Sequence, residues 1–344
     1  MNYELLEKLC LTSGPSGSED DVRDVILGEI NSHVKSLKTD KMGNVLAFKT
    51  GKSRSNKKLL LCAHMDEVGF VVTYINEEGF LSFKNVGAIS SCATYGKKIL
   101  IGDKKTPGIV CANPIHLLDL CDKKNEKLAP KNMYIDIGAS TRKEAQKFVS
   151  LGDMAVFASD FTRNRGFVTT KALDDRFGCA ALIELIKKEL AFDTYFLFTV
   201  QEEVGMHGSK CAAYQIKPDV AIVVESTTAS DILNVDFQYQ VCTLGEGPVL
   251  SFLDKKTIYD KKYVNFALKI AKENKTKLQI KRSISGGNDA GEIHRCGSGV
   301  KTLAISLPVR YLHTAYSVAC EKDMSDTLSI LKLLIKKIPE YDVF

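Results

Sequence analysis

Apolar positions recur at helical spacing from the start of the chain, with Tyr3, Leu5, Leu6 and Leu9 on one face. A turn follows at Gly14-Pro15-Ser16-Gly17. Ser18 then stands three residues before Asp21, the form of a capping box, and predicts a second helix carrying Val22, Val25, Ile26 and Ile30. Strand-like pieces come at 34–39 and 44–48, and the polar, basic stretch 51–58 is a loop. Residues 59–63 are continuously apolar, the signature of a strand buried on both faces.

Between about residues 68 and 165 the pattern changes. Short β-like runs recur at 70–75, 80–83, 98–101, 108–111 and 154–158, with one clear helix near 141–148. Residues 117–131 are lysine-rich and read as a solvated loop. This texture predicts a small β-rich domain, 68–165, inserted into a larger one formed by 1–67 and 166–344. From residue 167 helices and strands alternate. Helices are predicted at 174–190, 207–214, 260–274 and 323–338, and strands at 194–200, 220–224 and 301–307. The expected fold is therefore α/β, with a mostly parallel portion in a mixed sheet flanked by helices.

Composition narrows the classes. The chain has 344 residues, 44% hydrophobic and 26% charged, which is ordinary for a folded protein with room for two domains. The formal charge of +5 comes from 47 basic and 42 acidic residues spread along the chain, so neither nucleic acid nor a membrane surface is indicated. Trp is absent and aromatics make up 8%, which speaks against a sugar-stacking or base-stacking platform. The N-terminal residues show no secretory pattern, and no apolar run approaches the ~18–20 residues of a membrane span. Ten cysteines are scattered with no CxxC pair, as expected of reduced thiols in a cytoplasmic protein.

In open α/β sheets ligands bind at the carboxyl ends of the strands. His64, Met65 and Asp66 follow the first buried run; Gln201, Glu202 and Glu203 follow the second; Glu225 follows the third. Residues 308–313, ending in His313, follow the last, and Asp174-Asp175-Arg176 precedes the long helix. Imidazole and carboxylate are the usual ligands of zinc, cobalt or manganese. A bridging carboxylate, two ligand sets and one unligated carboxylate to take a proton from water make a two-metal hydrolase site. Each residue also has a plainer reading. His64 and His313 fit structural histidines, Glu202-Glu203 a solvated corner, and Asp174-Asp175-Arg176 a helix cap with an ion pair. Asp66 is placed to accept the imidazole N–H of His64. His33 and His116 read as structural or exposed, His207 as the start of a helix, and His294 as a neighbour of the site.

The same residues resemble the M42 family of metallo-aminopeptidases. The matching pieces are Ala63-His64-Met65-Asp66-Glu67-Val68-Gly69, Ala172-Leu173-Asp174-Asp175-Arg176 and Gln201-Glu202-Glu203-Val204-Gly205. Ser285-Gly286-Gly287-Asn288-Asp289-Ala290-Gly291 and Pro308-Val309-Arg310-Tyr311-Leu312-His313-Thr314 complete the set, in family order across nearly the whole chain. The resemblance implies a di-metal exopeptidase fold whose inserted domain, including Ile135-Asp136-Ile137-Gly138-Ala139, mediates dimerisation. It implies that Asp174 bridges two divalent ions, that His64 and Glu225 complete one site and Glu203 and His313 the other. Glu202 then acts as general acid/base and Asp66 orients His64. The implied activity is removal of N-terminal residues from short peptides with a free N-terminus, using zinc or cobalt, or manganese. The implied assembly is a homo-oligomer, from dimer to tetrahedral dodecamer. Glu225 stands where the family commonly has Asp, one methylene shorter, which bears on that site's geometry. Asn288 replaces a Thr, which opens the question of its role.

Three rival readings remain at this level. A carboxypeptidase or deacylase of the same clan uses similar ligands. A glycoside hydrolase needs carboxylates facing one another about 5–9.5 Å apart, whereas Glu202 and Glu203 are adjacent and the two histidines have no place in that chemistry. An inactive scaffold would normally have lost the base or a ligand, and all these positions keep competent residues.

Overall fold

The structure is a computed structural model that describes residues 1–112 and 132–341. His116 and the stretch 117–131 lie outside the described residues. The chain enters through β1 (Ser36–Thr39), β2 (Val45–Lys49) and β3 (Leu59–His64). It continues through β4 (Gly69–Ile75), β5 (Leu81–Val86), β6 (Lys98–Ile101), β7 (Thr106–Ala112), β8 (Met133–Asp136) and β9 (Met154–Phe157). It returns through β10 (Thr162–Asn164), β11 (Phe167–Thr170), β12 (Thr194–Thr199) and β13 (Val220–Thr228). The last strands are β14 (Val249–Leu250), β15 (Gln279–Ile280), β16 (Lys301–Arg310) and β17 (Ser317–Cys320).

The main sheet runs β1-β2-β12-β3-β13-β16-β17-β11-β10, with β14 and β15 branching from β16. Along that order the contiguous strands β12, β3, β13 and β16 are mutually parallel and the flanking pairs are antiparallel; in the branch, β14 is antiparallel to β16 and parallel to β15. The expected mixed sheet is observed, with its parallel portion at the centre. The centre is where both faces are covered, and all six residues of β3 are buried. The helix Leu173–Ile186 packs on β3 and β13, and Tyr3–Leu11 and Asp20–Ile30 pack on that helix.

Strands β4-β5-β8-β7-β6-β9 close into a barrel, which leaves no free sheet edge. In β5 Leu81 and Phe83 point inward while Ser82 and Lys84 face out, the period-two pattern of a one-sided strand. Phe70 packs edge-on against Phe83 and Phe157, with ring centroids 5.3 and 5.2 Å apart. Strand β10 falls within the expected 68–165 insert, yet it pairs with β11 in the main sheet.

Some local expectations change. Ser18 does not cap the second helix: its N-cap is Glu19, which makes no side-chain capping bond. The Glu19 carboxylate instead accepts from the backbone N–H groups of Gly17 and Gln201, tying this turn to the segment after β12. The long helix ends at Ile186 rather than residue 190. Strand β13 continues to Thr228, so Glu225 lies inside the strand rather than beyond its end. Parallel pairing with β16 extends to Thr228 and Val309, which carries the polar residues of both strands into the sheet.

Candidate metal centre and active site

The parallel register sets His64 at the end of β3 beside Thr199 of β12, directly before Gln201-Glu202-Glu203. Glu225 stands on β13 opposite Ser306 of β16. Asp174 lies at the mouth of the helix Leu173–Ile186, where it and Asp175 depart from helical angles and the peptide between them is cis. His313 lies in the turn between β16 and β17. Ala172, Gln201, Tyr311 and His313 all have left-handed backbones, with φ of 53°, 57°, 59° and 57°. Such conformations are uncommon for residues with a Cβ, and here they bend the chain beside each group of polar side chains.

The turns bring the predicted residues together. His64 Nε2 lies 3.3 Å from Asp174 Oδ1 and 3.3 Å from Glu225 Oε1. His313 Nε2 lies 3.3 Å from Asp174 Oδ2 and 3.2 Å from Glu203 Oε1. The two oxygens of Asp174 thus face two different histidines. Each imidazole is oriented by a main-chain carbonyl. His64 Nδ1 donates to the Asp66 carbonyl at 3.0 Å, and His313 Nδ1 donates to the Ala88 carbonyl at 3.0 Å. Both therefore direct Nε2 to the centre.

Asp66 does more than face His64. Its carboxylate lies 3.4 Å from His64 Nδ1, farther than its own carbonyl. It accepts from the Ser16 hydroxyl at 2.6 Å and from the backbone N–H groups of Glu202 and Glu203 at 3.0 and 3.1 Å. Burial opposes its charge, but His64, Ser16 and the Glu202 N–H outweigh that and hold the carboxyl below its ordinary range.

Burial pushes Glu202 well above the usual carboxylate range, and the charges of Glu225 and Asp289 add to the rise. Burial also raises Glu225 to about 8, with Asp174 adding to the rise and His64 opposing it. Asp174 goes the other way: burial opposes its charge, yet His313 and His64 hold the carboxyl far below its ordinary range. His313 is pushed up to about 11, because Asp174 and Glu203 overcome the effect of burial. Asp174 Oδ1, Glu203 Oε1 and Glu225 Oε2 are buried and accept no hydrogen bond. Buried carboxylate oxygens are normally satisfied. Desolvated oxygens converging with two directed imidazole nitrogens form a donor set that fits divalent metal ions. The ligand atoms of His64, Asp174 and Glu203 lie within 4.8 Å of one another, as do those of His64, Asp175 and Glu225.

The sequence pattern of the family described as M42 glutamyl aminopeptidase matches residues 43–330. The chain belongs to the M42 family of aminopeptidases. A putative aminopeptidase of Acetivibrio thermocellus is 40% identical over 98% of both chains. The lysyl aminopeptidase of Pyrococcus furiosus is 31% identical over 99% of both. Among solved structures, a TET aminopeptidase from a marine-sediment Thaumarchaeota archaeon superposes with a TM-score of 0.93 at 31% identity, covering 98% of this chain and 96% of that one. The TET1 peptidase of Pyrococcus horikoshii, which can assemble into a tetrahedron or a large octahedral shell, has a TM-score of 0.84 at 33% identity, covering 97% of this chain and 99% of that one.

Around this M42 centre the structure adds residues that had no assigned role. Asp175 is fully buried; its Oδ1 accepts the Gly178 N–H at 2.9 Å, and burial and then the Glu225 charge push its carboxyl well above the ordinary range. Asp289 lies under the centre and accepts from the Thr199 hydroxyl and, at 3.6 Å, from the Cys62 thiol. Asn288 accepts the Ala290 N–H at 2.9 Å and meets the Tyr259 hydroxyl at 3.3 Å, so it fastens the Gly-rich turn to its surroundings. Asp175 and Asp289 were visible in their motifs, but nothing in a sequence distinguishes a buried supporting acid from a ligand. Of the other described histidines, His207 is exposed and opens the helix His207–Ile216, and His294 bonds the Ala290 carbonyl.

Proposed function

We propose that His64 and Glu225 hold one divalent ion, that His313 and Glu203 hold a second, and that Asp174 reaches both. The observation that carries this reading is the pair of Asp174 oxygens, each 3.3 Å from a different imidazole nitrogen. Imidazole and carboxylate donors suit zinc, cobalt and manganese. Bound divalent ions supply Lewis acidity, which lowers the pKa of water and polarises a carbonyl. Glu202 lines the same cavity, of about 640 Å³, and belongs to neither ligand pair. Its carboxylate takes the proton of the attacking water and gives it to the leaving amine nitrogen. Asp66 holds the Glu202 and Glu203 backbone in register with His64. Glu225, longer than Asp by one methylene, reaches His64 Nε2 from within β13.

The substrates are short peptides with a free α-amine. The chain acts as a homo-oligomer, built from dimers through the β4–β9 barrel, in the cytoplasm. The sequence likeness to peptidases that form closed shells supports the assembly. The decisive experiment is a Glu202→Gln variant assayed with aminoacyl and N-acetyl-aminoacyl substrates. It should retain about two metal ions per subunit while kcat falls at least ~100-fold, in the range of lost general acid/base catalysis. The wild-type protein should leave the acetylated substrate uncut. Full turnover by the Gln variant would remove Glu202 from its role.

A further inference from the structure

The cavity over the metal centre has a floor and a mouth. Glu225 on its lining is buried, with His64 behind it, whereas Lys256, Gly286 and Gly287 on the same lining are exposed. A peptide whose α-amine lies at the ions therefore leads its other end toward Lys256. That end carries a second charge, the C-terminal carboxylate. The acidic lining residues, Asp174, Glu202, Glu203 and Glu225, belong to the ions or to proton transfer on the reading above. Of the two lining lysines, Lys281 is buried and the charges of Asp254 and Glu225 already act on it. The Lys256 ammonium has no ion pair among the described residues.

Lys256 is held more firmly than an ordinary surface lysine. Its backbone N–H donates to Asp254 Oδ1 at 2.7 Å, and the other Asp254 oxygen accepts the Tyr259 hydroxyl at 2.7 Å. The neighbouring Lys255 N–H donates to the Gly286 carbonyl at 2.9 Å, which ties this turn to the Gly-rich one. The stem of Lys256 lies in a cradle of two glycines. A Cβ on Gly287 would fall 2.5 Å from Lys256 Cγ, and one on Gly291 would fall 2.7 Å from Lys256 Cβ. Only residues without a Cβ leave room for the stem where it lies. The N–H groups of Gly286 and Gly287 make no hydrogen bond among the described residues. A fixed ammonium beside two open main-chain donors suits a carboxylate.

We infer that Lys256, with the Gly286-Gly287 main chain, receives the C-terminal carboxylate of a short peptide whose N-terminus lies at the ions. Lys256 is then a specificity-determining residue on the leaving-group side. It selects by peptide length and by a free C-terminus, not by the N-terminal side chain. This rests on the aminopeptidase reading of the same cavity and adds the far end of its substrate. A cavity of about 640 Å³ is the size of a small-molecule site, so a peptide of a few residues spans it while a long one carries its carboxylate outside.

The test uses the metal-loaded oligomer and Leu-Gly, Leu-Gly-Gly, Leu-Gly-Gly-Gly and a Leu-headed octapeptide, each as the free acid and as the C-terminal amide, with Leu-nitroanilide alongside. At one or more of the short lengths the acid should exceed its amide about 10-fold in kcat/KM, chiefly through KM, the size of one charge-assisted hydrogen bond. The difference should shrink as salt is raised and be absent in the octapeptide. Lys256→Met should bring the acid-to-amide ratio close to one, and Lys256→Arg should keep it. A merely structural role for Lys256 would lower acid and amide alike and leave the ratio where it was. Equal rates for acid and amide at every length overturn this proposal, as does a Met variant with the wild-type ratio; continued cleavage of Leu-nitroanilide by the wild type then leaves the aminopeptidase reading intact. If neither the peptides nor Leu-nitroanilide are cleaved, the aminopeptidase reading fails and takes this proposal with it.

Discussion

The Asp66 carboxylate joins parts of the chain that are far apart in sequence: the turn at Ser16, the end of β3, and the Glu202-Glu203 pair. An Asp66→Asn side chain would offer an amide N–H to backbone N–H groups that need acceptors. We expect that variant to fold but to bind metal 10–100-fold more weakly, the usual size of a lost supporting contact, as read by titration in a metal buffer. At this scale the sequence was most legible where an apolar run stopped abruptly at a charge, because burying an unexplained carboxylate is costly. His64, Glu202 and Glu203 stood out for that reason. The same logic pointed to Asp66 as the orienter of His64, but the nearer acceptor is the Asp66 carbonyl. Main-chain acceptors leave no trace in residue identity.

At the scale of elements, the helix Leu173–Ile186 is fastened beneath the site by a buried cluster. Lys171 donates to both oxygens of Glu67 at 2.6 Å, and Arg176 binds the carbonyls of Met65, Thr12 and Gly14 as well as Glu67. Glu67→Leu would leave Lys171, which is 3% exposed, without its carboxylate. The expected cost is about 3–5 kcal/mol in urea unfolding, the usual result of breaking a buried pair from one side. A second tie has a pH signature. Arg310, at the end of β16, makes two 2.8 Å bonds to Asp231 in the segment after β13. Burial opposes the Asp231 charge, but the Arg310 bonds and the Leu244 N–H overcome it, so the carboxyl sits below its ordinary 3.8. A lowered folded-state pKa gives stability that is present at neutral pH and is lost as pH falls below about 4. Asp231→Asn should therefore cost about 1 kcal/mol at pH 7 and progressively less toward pH 3, measured by urea unfolding at each pH.

Element existence was readable wherever hydrophobic period and length agreed, as for β3, β12 and the helix Lys261–Glu273. The two-residue strands β14 and β15 carry too few positions to show a period. Strand β13 outran its expected end because Ser226, Thr227 and Thr228 are polar yet pair with β16 in full register. Polarity there marks the edge of the cavity rather than the end of the strand.

For the whole molecule, ions held between residues from different parts of the chain bind the folded state alone and should stabilise it. Treatment with a chelator should therefore abolish peptide cleavage and lower the melting temperature together, with both restored by zinc, cobalt or manganese. Sedimentation should give a mass of at least twice 38.0 kDa. No helix among the described residues is long and apolar enough to cross a membrane.

One contact ties the barrel to the chemistry. The carbonyl that orients His313 belongs to Ala88, just after β5, and Ala315, two residues beyond His313, is buried in the barrel's own core. His64 takes its orientation from its own strand end instead. On the proposed ligand sets, the two ion positions would therefore be unequally sensitive to what happens in the barrel. Hollowing it by Phe83→Ala should drain the His313 position first, so the metal count would fall from two toward one while the other ion stayed, and anything that grips the barrel from outside would act on one half of the pair.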